Sequence, residues 1–212
     1  MLKNDAEFRK KLESILHIFI LAQDAYLYTE YFHNPATDEE KKLVYRSHQS
    51  VYIKFIMHLM FRSLIVEVSK LYRKDNKKRE KFSLPHLVDS LLPGGQLQEA
   101  EISRVLLSKW INQFNENQET INAVLRLRDK VYAHSDDPLK SYNDIDLQFA
   151  QLKELLDLAG NILKELYGAV YDTSLELDSP TFDRERFGFL RLLSNGESNR
   201  IANIIEQYRV EG

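Results

Sequence analysis

The stretch VYIKFIMHLMFRSLIVEVSKLY (residues 51–72) carries apolar side chains at Ile53, Ile56, Met57, Met60, Phe61, Leu64, Ile65, Val68, Leu71 and Tyr72. Steps of three and four residues put them on one face of an α-helix. The periodicity extends this helix over about 38–73. Phe55, Leu59 and Val66 widen the face, so the helix is expected to be central and buried on more than one side.

Working outward, residues of about 4–33 show the same spacing through Phe8, Leu12, Ile15, Phe19, Tyr26 and Tyr31. HNPATDEEK (33–41) ends that helix at Pro35, and Thr37 with Glu40 reads as a capping box for the next. Downstream, RKDNKKREKF (73–82) is a polar, basic connection. SLPHLVDSLLPGG (83–95) is a short helix stopped by Pro93, Gly94 and Gly95. Gln96–His134 is helical again, with Ile102, Val105, Leu106, Trp110, Ile111 and Phe114 as one stripe and a kink at NENQET (115–120). A loop at 135–144 leads to a helix capped by Asp144 and running to about 171. The tail has two apolar patches, Phe187–Leu193 and Ile201–Ile205. The expected fold is an all-α bundle of four or five principal helices over 1–178, with a short helical C-terminal extension over 179–212.

Composition agrees. Of 212 residues, 43% are hydrophobic and 29% charged, with seven Gly and five Pro, few enough to favour helices over a sheet-rich fold. The length suits one well-buried core, with or without an appendage. A formal net charge of −3 excludes a globally basic nucleic-acid coat but leaves room for a local basic groove. With no cysteine there is no disulfide, thiolate zinc site or cysteine nucleophile, which fits a reducing compartment, and a cytoplasmic location is expected. The first residues, MLKNDAEFRK, lack an apolar signal region, and no run approaches the ~18 apolar residues of a membrane span, so no membrane partner is expected.

Chemistry-bearing motifs are few. There is no Gly-rich phosphate loop, G-x-S-x-G elbow or H-E-x-x-H. One Glu-x-x-His spacing, Glu30 to His33, stands at a helix end without the second copy that a bundle metal site needs, so neither a metal nor another cofactor is expected. His17, His33, His48 and His58 read as helix-flank residues. The run Arg73–Lys81 holds six Lys or Arg among nine residues. Such density attracts phosphate, and Arg73, Lys74, Lys77 and Lys78 are candidate RNA-backbone contacts, although an ordinary solvated loop reads the same way.

The remaining anomaly is LRLRDKVYAHSDD (125–137). Ile121, Val124 and Leu125 lead an apolar stripe toward Val131 and Tyr132, and the position between is Arg128. A buried guanidinium is costly unless it meets an anion or a water-filled groove. His134 follows six residues later, where the helix is expected to end. The spacing alone is common, since Arg79 and His86 repeat it across a loop and Pro85; the placement is what distinguishes Arg128. Pairing with an acid of the central helix, such as Glu67, is the structural alternative. On a helix, six residues separate two side chains by about 9 Å and about 120°. Arg128 and His134 therefore share a ligand only if the helix end bends or a second chain contributes its own copy.

Arg128-Asp129-Lys130-Val131-Tyr132-Ala133-His134 resembles the Arg–polar–x–His signature of the HEPN family. With FRSLIVEVSKLYRKD (61–75) and SLPHLV (83–88), it is similar to the abortive-infection, AbiU-like branch over roughly residues 10–170. The resemblance implies an antiparallel four- to five-helix bundle that dimerises through its motif helices. It also implies metal-independent endoribonuclease activity of the toxin or antiviral type. Arg128 and His134 would then be the catalytic pair, Asp129 the partner that orients Arg128, and Lys130 a backbone contact. RNA is the expected substrate, with no DNA partner, and an antitoxin protein is a possible partner. Some toxin members carry a modifiable tyrosine two residues after the histidine, where this chain has Asp136, so control by that route is not expected. The alternative is a non-catalytic helical bundle that binds RNA or a protein.

Overall fold

The computed structural model describes residues 5–47, 51–74, 82–129 and 147–210. Among them are eight α-helices and no strand: α1 (Asp5–His33), α2 (Asp38–Ser47), α3 (Val51–Tyr72), α4 (Leu84–Leu91), α5 (Arg104–Glu116), α6 (Gln118–Leu127), α7 (Phe149–Tyr171) and α8 (Pro180–Val210). A 3₁₀ turn covers Gln98–Ala100. The all-α fold is the one the apolar periodicity demands. The chain divides into two compact units, Met1–Gln23 with Ser63–Leu177, and Asp24–Arg62 with Asp178–Gly212. Helices α1 and α3 each give one part to either unit.

The first unit holds the main core. Leu64, Ile65 and Leu71 of α3, Trp110 of α5 and Leu152, Leu155, Leu163 and Leu166 of α7 are all fully enclosed. Two polar bonds fix helix pairs that apolar contact alone would let slide. The buried Tyr72 hydroxyl donates to the Leu155 carbonyl, and the Trp110 indole N–H donates to Glu165 Oε2 at 2.7 Å. Helix α4 ends where Gly94 adopts φ +85°, a backbone conformation glycine reaches at no steric cost. A Cβ on Gly95 would lie 2.4 Å from the Ser90 carbonyl oxygen. The kink at 115–120 is one residue, Asn117, which closes α5 and opens α6.

The second unit is built around Tyr31, Phe32, Val44, Ile53, Phe182 and Leu190. The capping box is present: Glu40 Oε2 accepts the Thr37 N–H at 2.8 Å, and Thr37 Oγ1 accepts the Glu40 N–H at 3.2 Å. The other Glu40 oxygen accepts the Tyr31 hydroxyl, which ties α2 back onto α1. Phe182 of α8 meets Tyr28 and Tyr31 edge-on at 4.9 and 5.8 Å, and the Arg186 guanidinium lies over both the Tyr31 and Phe182 rings.

Three expectations are corrected. The helix read over 38–73 is two helices, α2 and α3, on either side of 48–50, which lie outside the described residues. Phe55 and Leu59 are exposed rather than widening a buried face, and Val105 is 81% exposed rather than part of the α5 stripe. Apolar spacing reports which side chains share a face, not whether that face finds a partner. Helix α7 starts at Phe149, not after Asp144, because Gln148 caps it reciprocally with Gln151; Asp144 lies outside the described residues. The two tail patches belong to a single 31-residue helix, in which Leu190 is fully buried while Ile201, Ile204 and Ile205 are exposed.

Candidate functional site

Helix α6 leads directly into Arg128 and Asp129, the two catalytic candidates among the described residues. Ile121, Val124 and Leu127 anchor it in the core of the first unit, with 4%, 1% and 4% of their surface exposed. The buried anchors are thus 121, 124 and 127. Leu125 is half-buried beside them, and Arg128 falls at the edge of the stripe with 28% of its side chain exposed. The Arg128 N–H is shared between the carbonyls of Val124 and Leu125. Arg128 and Asp129 themselves form part of a π-type turn, a local ladder change that recurs at functional sites.

The Arg128 guanidinium is paired with its own neighbour, Nη1 to Asp129 Oδ1 at 2.5 Å. This contact engages one N–H of the planar fork and leaves its other donors uncommitted by Asp129. The alternative partner, Glu67, is 8% exposed and bonds Lys70 at 2.6 Å through Oε1. Among the described residues its Oε2 has no hydrogen-bond partner. Asp129 also lines a groove of about 810 Å³, with Glu119, Asn122 and Arg126 on α6 and Gln151 on α7. Hydropathy gives no sign of this polar face of α6, because amides and charges at 119, 122 and 126 read as an ordinary solvated surface.

Of the proposed backbone contacts, Arg73 and Lys74 close the C-terminal end of α3, where cations complement the helix dipole. Lys74 Nζ is 2.8 Å from Asp89 of α4, so its charge is partly offset. His134, Lys130, Lys77 and Lys78 lie outside the described residues, as does Asp136. At the end of α1, His33 Nδ1 lies 2.7 Å from the Thr29 carbonyl oxygen, one turn back along the same helix.

Compared with known proteins, residues 5–186 match the family model AbiU2, a HEPN class. No curated protein and no solved structure matches the chain. The matched segment reaches from the start of α1 to Arg186, the residue that covers the Tyr31 and Phe182 rings.

Proposed function

The chain belongs to the AbiU2 family of HEPN domains, and from that premise we propose that it is a metal-independent endoribonuclease of the toxin or antiviral abortive-infection type. Membership points to a HEPN-type nuclease or RNA-binding role. The observation that carries the catalytic reading is Arg128, a cation seated at the edge of a buried stripe, partly exposed and paired with Asp129.

The chemistry needs little more. RNA brings its own nucleophile, the 2′-hydroxyl. As its oxygen attacks phosphorus the P–O5′ bond breaks, giving a 2′,3′-cyclic phosphate and a 5′-hydroxyl. One proton leaves the 2′-oxygen and one reaches the 5′-oxygen. Histidine suits both transfers because it titrates near neutrality, which is the role proposed for His134. Arg128 offers a planar, permanently charged donor to the phosphorane oxygens. The separation of the two positions along a helix favours a cleft shared by two chains, with motif helices side by side and RNA between them. We place this activity in the cytoplasm; among the described residues no helix is long and apolar enough to cross a membrane. An antitoxin protein would be a natural partner for such an activity.

Incubating the purified chain with mixed RNA in excess EDTA, beside His134→Ala, tests this reading. Cleavage is expected to survive EDTA, to fall in His134→Ala, and to stop when the 2′-oxygen is methylated. Loss in EDTA overturns the metal-free mechanism, and unchanged cutting by His134→Ala overturns the site. The second reading is a non-catalytic bundle that binds RNA or a protein. Its support is that Arg128 and Lys74 each sit against an acid, Asp129 and Asp89, and it predicts binding with no cleavage.

A further inference from the structure

A second groove of the first unit, about 310 Å³ in volume, is lined by residues of α3, α4, α5 and α6. Its apolar wall includes Phe114, Ile121 and Leu125, and its polar lining is an amide row of Asn115, Gln118 and Asn122. The Lys74–Asp89 ion pair also lines it. A volume near the low end of the ~300–1,000 Å³ typical of small-molecule sites suits one nucleotide-sized group, not a helix or a protein loop.

The lining chemistry narrows the occupant. A sugar phosphate has no use for a wall of Phe114, Ile121 and Leu125, and an acyl chain has none for three amides. A flat heteroaromatic ring with donors and acceptors on its edge uses both. Gln118 Nε2 donates to Asn122 Oδ1 at 3.0 Å, which fixes Asn122 and leaves its N–H₂ as donor with Gln118 Oε1 as acceptor. Such a donor–acceptor pair is what the edge of an unpaired base requires. Lys74, its charge partly offset by Asp89, is the cation of the lining that the attached phosphate would meet.

Placement connects this groove to Arg128. Asn122 lines both this groove and the one that Asp129 lines, so the two open on adjoining faces of α6, with Asn122 about 120° around the helix from Arg128 and about 9 Å along it. We propose that this groove is a base-recognition subsite that holds one unpaired nucleobase of a single-stranded RNA whose backbone continues toward Arg128. The subsite rests on the RNA-directed reading above and names how that site would select its substrate.

The probes are the four ribonucleoside 5′-monophosphates and ribose 5-phosphate, titrated calorimetrically into wild type, Asn122→Ala and Asn115→Trp. Asn115 and Asn122 are both exposed, and circular dichroism checks that each variant is folded. At least one nucleotide is expected to bind in the millimolar range or tighter, and ribose 5-phosphate about tenfold more weakly. Asn122→Ala should weaken the nucleotide about three- to tenfold, the loss of one hydrogen bond. The Asn115→Trp ring should block the groove. The proposal is overturned if no nucleotide binds wild type, if ribose 5-phosphate binds as well as the nucleotides, or if Asn122→Ala binds like wild type. RNA cleavage is scored separately on the same proteins. Nucleotide binding without cleavage removes the ribonuclease reading and leaves the subsite, whereas cleavage without nucleotide binding removes the subsite alone.

Discussion

At Arg128 the decisive property is shape as much as charge. A lysine keeps the cation but loses the fork that can hold Asp129 and a phosphate oxygen together. If the phosphorane is stabilised there, Arg128→Ala lowers the cleavage rate by about 10²–10³-fold, and Arg128→Lys recovers little of it. Asp129→Asn keeps the shape and loses the charge, so it is expected to fall between wild type and Arg128→Ala. Single-turnover rates on one RNA distinguish these outcomes; equal rates for Arg128→Lys and wild type would show that a point charge suffices. Glu40 carries a different kind of consequence. Burial alone would push its carboxyl upward, but hydrogen bonds from the Tyr31 hydroxyl and from the Thr37 N–H and hydroxyl hold it below its ordinary value. A folded-state pKa below the unfolded one means that the carboxylate adds stability fully above the unfolded value, near about pH 4.3. That stability drains away as pH falls through the lower folded value. Glu40→Gln should therefore lower Tm near neutrality and give a shallower loss of Tm than wild type between pH 6 and pH 3. Parallel Tm–pH curves would remove Glu40 from the acid limb.

Among the elements, α7 offers a paired test of packing against propensity, because its glycines differ only in surroundings. A Cβ on Gly168 would meet nothing within 4 Å, whereas one on Gly160 would come within 3.2 Å of the Phe19 ring and 3.4 Å of Leu177. Gly168→Ala should stabilise by about 0.5–1 kcal/mol through helix propensity alone, a rise of roughly 2–4 °C per kcal/mol for a chain of this size. Gly160→Val should destabilise by about 1–3 kcal/mol, since α1 packs Phe19 into the space a larger side chain would fill. Thermal melts decide both, and stabilisation by Gly160→Val would mean that Phe19 yields. Gly160 also marks what the sequence makes visible at this scale. Long apolar stripes, the capping box of Thr37 and Glu40 and the stop at Pro93-Gly94-Gly95 are local signals, and the chain obeys them. Phe55, Leu59 and Val105 mislead because the partner that decides burial lies far away in sequence. Arg128 was legible because it interrupts a stripe. The groove of Asn115, Gln118 and Asn122 was not, because exposed amides on a helix flank look like any solvated face until neighbouring helices set an apolar wall beside them. The Gln148–Gln151 cap was hidden for a similar reason, glutamine being a weaker cap signal than Asp144.

For the whole molecule the open question is whether one chain suffices to cleave. Arg128 and His134 are six positions apart, and a continuous helix would turn them about 120° from each other. A two-fold dimer with adjacent motif helices resolves this by letting the arginine of one chain and the histidine of the other address one phosphate. Two-fold symmetry then creates two equivalent Arg–His combinations. Such an arrangement has a signature that no single-chain site can imitate. Arg128→Ala and His134→Ala homodimers are each expected to be inactive, since every combination lacks one member. When the two variants are unfolded together and refolded at equal concentration, half the dimers are mixed. In each mixed dimer one combination joins the intact arginine of one chain to the intact histidine of the other. About a quarter of the wild-type sites are thereby restored, and cleavage should return to about that fraction. If Arg128 and His134 act within one chain, every site in every dimer stays broken and mixing restores nothing. Light scattering on the same samples fixes the premise, since a monomeric mass at micromolar concentration removes the shared cleft outright. Recovery that rises and falls with the dimer fraction would tie the activity to the paired motif helices.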